Sequence, residues 1–206
     1  MLFPGVPRPL RLAALLLCPA LWAQLPYDPL TPEETAQAES VLLADAAVKQ
    51  RLANETKFRI LYIVRHEFDK SEEAPPRRAD VLGYLYTTDD TLSAVVRLGP
   101  DPLVEALSVF KSPKPAFNRD EVTEATRLAL ADPGVRAGLK AAGIAQEAQS
   151  KLRVLSWPVE EASKNDPCAR HRCVALAFHT ATGPVNLRPI VDLSAQRVSL
   201  SKEKLP

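Results

Sequence analysis

The same capped helix occurs twice in this chain, 87 residues apart, and each copy is followed by a segment rich in strand patterns. Glu34 matches Glu121, Ala38 matches Ala125, and Leu43-Ala44-Asp45 matches Leu130-Ala131-Asp132 at that spacing. Val48 with Val135 and Leu52 with Leu139 continue the match. An internal duplication is the economical reading, and two copies of one small unit predict a paired scaffold.

Both copies open with helix-start chemistry. Thr31 is a cap residue, Pro32 suits the first helical position, and Glu34 stands where its carboxylate reaches back to the cap. Asn118 and Glu121 repeat the arrangement. Ala38, Val41, Leu42, Val48 and Leu52 fall near one helical face, with Ala125, Leu128, Ala129, Val135 and Leu139 in the corresponding places. Both faces are expected to lie on a sheet.

The strand signals follow. Phe58, Ile60, Tyr62 and Val64 alternate along a strand, and Leu61 and Ile63 make its other face partly apolar, so it is expected to be central in its sheet. Val81 to Thr88 and Leu92 to Leu98 predict a hairpin around Asp89-Asp90, and Leu103 to Phe110 a further strand. In the second copy the expected strands are Leu152 to Val159, Cys173 to Thr180, Val185 to Val191 and Arg197 to Leu200. The expected class is α+β, with one helix on one antiparallel sheet in each unit. The expected divisions are residues 24–112 and 113–206.

Residues 1–23 read as a secretory signal peptide, with Arg8 and Arg11 before the apolar Leu12 to Leu17 and Ala23 at a cleavage point. The apolar stretch falls short of the roughly 20 residues a spanning helix takes. Lipidation at Cys18 is the alternative, opposed by the bulk of Leu17 before it. Cleavage removes two arginines and no acid, moving the formal charge from +1 to -1. No basic stripe suggests nucleic acid. The expected location is secreted or periplasmic, with another protein or an envelope component as partner.

Several motifs together resemble a known family. Tyr27-Asp28-Pro29-Leu30-Thr31-Pro32-Glu33-Glu34, Ala94-Val95-Val96-Arg97-Leu98 and Pro115-Ala116-Phe117 are similar to the N2 domain of copper amine oxidases and its junction with N3. Leu130-Ala131-Asp132-Pro133-Gly134-Val135, Arg153-Val154-Leu155-Ser156-Trp157-Pro158-Val159 and Arg188-Pro189-Ile190 are similar to N3. The resemblance implies two tandem cystatin-like units that accompany a larger catalytic domain. It also implies what an oxidase needs: a tyrosine that becomes the quinone cofactor, in an Asn-Tyr-Asp/Glu setting, and copper on three histidines that include a His-x-His pair. Tyr27, Tyr62, Tyr84 and Tyr86 all lack a preceding Asn, and His66, His171 and His179 form no such pair. No catalytic residue, metal ligand or cofactor carries over, so the chain is expected not to be an enzyme. The Val185 to Leu193 region is also shorter than the N3 pattern.

Cys168-Ala169-Arg170-His171-Arg172-Cys173 is the one local cluster with chemical promise. In an exported chain the two cysteines are expected to form a disulfide, stabilising by roughly 2 kcal/mol on the chain-entropy model. A zinc or copper site on Cys168, His171, Cys173 and His179 is the alternative, although its spacing matches no standard finger. His66-Glu67-Phe68-Asp69 reads as a solvated strand end, Arg77-Arg78 as a solvated turn, and Glu72-Glu73 and Glu160-Glu161 as loop charges. Trp157 reads as core or interface packing.

The functional expectation is a secreted, non-catalytic binding or structural module. The alternatives are an accessory to a copper amine oxidase or a metal-handling protein. Protease inhibition rests on fold analogy alone, and the Gln-x-Val-x-Gly loop it needs is missing.

Overall fold

Helix and strand alternate in the order the patterning predicts. The structure is a computed structural model describing residues 28–67, 76–111, 114–159 and 166–201. Helices α1 (Pro32–Ala44) and α2 (Ala46–Leu52) precede strands β1 (Phe58–Arg65), β2 (Arg78–Leu85), β3 (Asp90–Arg97) and β4 (Leu103–Phe110). Then come α3 (Arg119–Ala131), α4 (Pro133–Ala141), a 3-10 turn over Gln146–Lys151, and β5 (Arg153–Pro158). A short turn at Pro167–Ala169 leads to β6 (Cys173–Thr180), β7 (Gly183–Pro184), β8 (Pro189–Asp192) and β9 (Arg197–Leu200). The leader, Cys18, Tyr27, Phe68-Asp69, Glu72-Glu73 and Glu160-Glu161 lie outside the described residues.

The class is α+β, as expected. The first sheet is an antiparallel meander in the order β1-β2-β3-β4. The second has the order β5-β6-β8-β9, with β7 paired to the end of β6. Strands β1 and β5 are therefore edges, and β1 is not the central strand its two partly apolar faces predict. Among the described residues no helix is long and apolar enough to cross a membrane.

Each expected single helix is divided in two. Asp45 ends α1 in extended backbone, and its carboxylate accepts the Ala47 and Val48 amides at 2.8 and 3.0 Å to start α2. Asp132 does the same between α3 and α4, accepting from the Val135 amide at 3.0 Å. An aspartate carboxylate satisfies amides that have no partner within the helix, so the break costs little and turns the second segment back onto the sheet. The apolar stripe survives the bend: Ala38, Leu42 and Val48 are buried in the first copy, and Ala125, Ala129, Val135 and Leu139 in the second.

Two strand expectations need correction. The first hairpin turns over residues 86–89, so Tyr86 to Thr88 belong to the turn and Asp90 opens β3. Asp89 takes a positive φ of 56°, a conformation Asp tolerates better than most residues. In the second sheet Val185 to Arg188 leave the ladder, and only Pro189–Asp192 pair. Pro184 and Pro189 bracket that stretch and lack the N–H a continuous ladder requires. The bend still delivers Val185 and Leu187 to the core.

The two cores differ in origin. Ala38, Leu42, Val48, Val81, Leu92 and Val96 sit in a cluster drawn wholly from residues before the linker that joins β4 to α3. The other cluster joins Ala125, Val135, Leu139, Leu176, Phe178 and Val191 to Leu61, Tyr84 and Tyr86 of the first half. The second core is thus completed by side chains of the first half. Burying one such large side chain is worth about 1.5–3 kcal/mol, so these contributions are substantial.

Candidate functional site

The polar centres of this fold are two arginine clamps built on the helix starts. At α1 the capping box is complete: the Glu34 amide donates to Thr31 Oγ1 at 3.2 Å, and the Thr31 amide to Glu34 Oε2 at 2.9 Å. Arg77, the residue before β2, adds hydrogen bonds from Nε and Nη2 to the same carboxylate, both at 2.8 Å. It also donates to the carbonyls of Asp28 and Pro29 at 2.6 and 2.7 Å. The hydrogen bonds from Arg77 hold the Glu34 carboxyl below its ordinary pKa, against the opposing effect of burial.

The α3 clamp repeats this geometry. The Glu121 amide donates to Asn118 Oδ1 at 2.9 Å, and the Asn118 amide to Glu121 Oε2 at 3.1 Å. Arg172, the residue before β6, donates from Nε to Glu121 Oε1 and from Nη2 to Oε2 at 2.8 Å. It then reaches the carbonyls of Pro115 and Ala116 at 2.9 and 3.0 Å. Glu34, Asp28 and Pro29 correspond to Glu121, Pro115 and Ala116 at the 87-residue spacing, whereas Arg77 and Arg172 are 95 apart. Strands β1 and β2 stand 95 residues before β5 and β6, so the extra residues fall between α4 and β5, where the 3-10 turn lies.

Around Arg172 the two halves meet. Its guanidinium lies between the rings of Tyr84 and Phe117, 4.7 and 4.5 Å from their centroids. Tyr86 donates its hydroxyl to Glu121 Oε1 at 2.5 Å, and Tyr84 donates to Asp89 Oδ1 at 3.1 Å. Burial first, then the neighbouring carboxylates, push both phenols well above their ordinary pKa. Burial works against the Arg172 charge, but the Glu121 hydrogen bonds outweigh it and raise the guanidinium pKa. Asp89 also accepts from the Arg172 amide at 3.2 Å and from the Ser194 hydroxyl at 2.5 Å, linking the first hairpin to the second sheet. Glu124 adds ion pairs to Lys57 at 2.8 Å and Arg59 at 2.7 Å.

Cys168 and Cys173 are joined in a disulfide beside this centre. The structure does not assemble the alternative metal set. Both sulfurs are in the disulfide, His171 Nδ1 is 2.6 Å from Asp192 Oδ2, and His179 sits opposite Arg153 near the far end of β6. About 20 Å of extended strand separates Cys173 from His179. Among the described residues no group of three or more His, Cys, Asp or Glu is placed to hold a metal ion.

Other sequence expectations change in detail. Arg77 and Arg78 are not a free turn: Arg77 forms the first clamp and Arg78 pairs with Glu105 at 2.7 Å. His66 directly follows β1 and is engaged with Asp80 at 2.7 Å. Trp157 is half-buried on β5, with the Arg188 guanidinium 5.2 Å from its ring. Two clefts lie at corresponding places. One, of about 550 Å³, is lined by Pro29, Leu30, Ile63 and Val64; the other, of about 320 Å³, by Ala116, Phe117, Pro158 and Val159. Each runs between a helix-entry segment and the end of an edge strand.

Sequence reading found Glu34 and Glu121 as capping residues and missed their arginines. The available signal was an Arg directly before the second strand of each copy, hidden by the change of spacing from 87 to 95.

No family model and no curated protein matches this chain. Among solved structures it is similar to the lysyl oxidase of Pichia pastoris, at 14% identity and a TM-score of 0.49, over 88% of this chain and 30% of that one. A second structure of that oxidase gives 14% identity, a TM-score of 0.46, and 87% and 29% coverage. The chain therefore spans less than a third of the length of these oxidases. At this level the likeness carries nothing about chemistry.

Proposed function

We propose that the chain is a secreted, non-catalytic binding or structural module of two duplicated units, residues 24–112 and 113–206, exported by residues 1–23. The observation that carries this reading is the use of the densest polar centre. Arg172 directs its guanidinium to Glu121 and two backbone carbonyls, and Glu121 also receives Tyr86 and the Asn118 amide. Most of these groups belong to the second half, and Tyr86, with Asp89 on the Arg172 amide, brings the first half onto them. Arg172 borders the 320 Å³ cleft, but its side chain is fully buried and its guanidinium is engaged by protein groups, whereas a centre organised for substrate would turn a polar group into the cleft.

The proposed partner is another protein or an envelope component. The motif resemblance to N2 and N3 supports a second reading, an accessory to a copper amine oxidase. The test is hydrogen peroxide release by purified residues 24–206 with copper and a primary amine. No amine-dependent release is expected. Turnover that survives removal of contaminating oxidases sinks the non-catalytic reading. Export is tested separately, by fusing residues 1–23 to a reporter that is active only outside the cytoplasm.

A further inference from the structure

Residues 168–173 form a small ring closed by the disulfide, and from it Arg172 reaches the first half, its amide donating to Asp89 at 3.2 Å and its guanidinium 4.7 Å from the Tyr84 ring centroid. The Arg172 side chain reaches Glu121 on α3 and the Pro115 and Ala116 carbonyls, while its amide meets Asp89 in the first hairpin. Lys114 donates to the carbonyls of Cys168, at 3.2 Å, and His171. His171 holds Asp192, which accepts the Ser194 and Ala195 amides at 3.0 and 2.9 Å. One short ring thus touches the first hairpin, the linker, α3 and the end of β8. Its closure restricts the conformations open to these residues before any of those contacts form.

We infer that the Cys168–Cys173 disulfide is a redox-operated lock on the contact between the two halves. Oxidised, the ring presents Arg172 and the two carbonyls to their partners; reduced, it opens and that contact loosens. In the opening step a dithiol reductant attacks one sulfur as its thiolate and forms a mixed disulfide. Its second thiolate displaces that sulfur, so the reductant leaves as a cyclic disulfide and the protein gains two electrons and two protons as two thiols. Cys168 and Cys173 are only 8% and 5% exposed, so attack requires local opening and the oxidised state persists once formed. Locking during export, by a protein disulfide of an oxidising compartment, rests on the proposed secretion. The first core lies apart from this device, because all its residues precede the linker.

The test is amide hydrogen exchange, read by mass spectrometry, on residues 24–206 in three forms: oxidised, reduced with dithiothreitol, and carrying Cys168→Ser with Cys173→Ser. Exchange in residues 86–89 and 114–118, remote in sequence from the cysteines, is expected to rise on the order of tenfold in the reduced and variant forms. Exchange in β2 and β3 is expected to stay unchanged, and reoxidation of the wild-type chain to restore protection. Trp157, the one tryptophan after residue 23, supplies a fluorescence reading beside the linker. A change confined to residues 166–173, or none, overturns the lock. If the double variant does not fold, the dithiothreitol arm on the wild-type chain decides. Free thiols in exported chain overturn the export step alone.

Discussion

Arg77 and Arg172 make the same set of contacts, yet they sit in different surroundings. Each binds both oxygens of a capping-box glutamate and the two carbonyls that lead into the helix. The Arg77 and Glu34 side chains are 13% and 17% exposed, whereas those of Arg172 and Glu121 are both at 0%. The first half covers the second clamp with Tyr84 and Tyr86. One motif therefore serves two ends. At α1 it tidies a helix start near the surface; at α3 it becomes the polar pin of a junction.

Burial sets the energetic difference. A charge pair near water exchanges one good environment for another, while a buried charge that loses its partner keeps the desolvation penalty. Arg172→Ala is accordingly expected to cost about 3–5 kcal/mol, measured as the fall in unfolding free energy of residues 24–206 in urea. If it costs no more than Arg77→Ala, the distinction between the clamps collapses. Tyr86→Phe sharpens the same point, since it leaves Glu121 without one buried donor. Its expected cost is about 1–3 kcal/mol by the same measurement, and a neutral outcome would mean the phenol contributes only packing.

Arg77→Ala should cost about 1 kcal/mol or less, with a loss that shrinks at high salt. A salt-independent loss as large as that of Arg172→Ala would show that the first clamp is also covered in solution. The smallest effect concerns pH. Because the folded state holds the Glu34 carboxyl below its ordinary value of 4.5, this pair stabilises the fold above that value and is lost as the pH falls through the lowered one. Glu34→Gln should therefore flatten part of the acid limb of a stability-against-pH curve and leave its slope near neutrality unchanged. An altered neutral slope would locate the titrating group elsewhere. Glu124 shares the same direction: burial opposes, but hydrogen bonds from Lys57 and Arg59 lower its pKa, so the acid limb should persist in part.

Much of the local structure was legible because it depends on near neighbours. Thr31 with Glu34, and Asn118 with Glu121, are three residues apart, and their capping boxes form as the spacing predicts. The bends at Asp45 and Asp132 were equally local, but a continuous apolar stripe concealed them, since Val48 and Val135 keep to the buried side after the break. The strand predicted over Val185 to Val191 is shorter in the fold, where β8 begins only at Pro189, because Pro184 before it and Pro189 within it supply no N–H to a ladder.

The clamps show where local reading stops. Arg77 lies 43 residues from Glu34, and Arg172 lies 51 from Glu121. Nothing in the flanking composition separates an arginine bound for a helix start from one in a solvated turn. The disulfide was an expectation from spacing and the proposed export, but its attachment to Lys114, Asp89 and α3 was not legible, because those partners are far away along the chain.

By itself the sequence determined the helix starts, the apolar faces and the α+β class, since each rests on periodicity or on residues a few positions apart. Only the tertiary structure decided which clamp is buried and that Leu61, Tyr84 and Tyr86 complete the second core. The reason is physical: burial and desolvation depend on which surfaces meet, and two copies of one local pattern acquire different energies once one half covers the other.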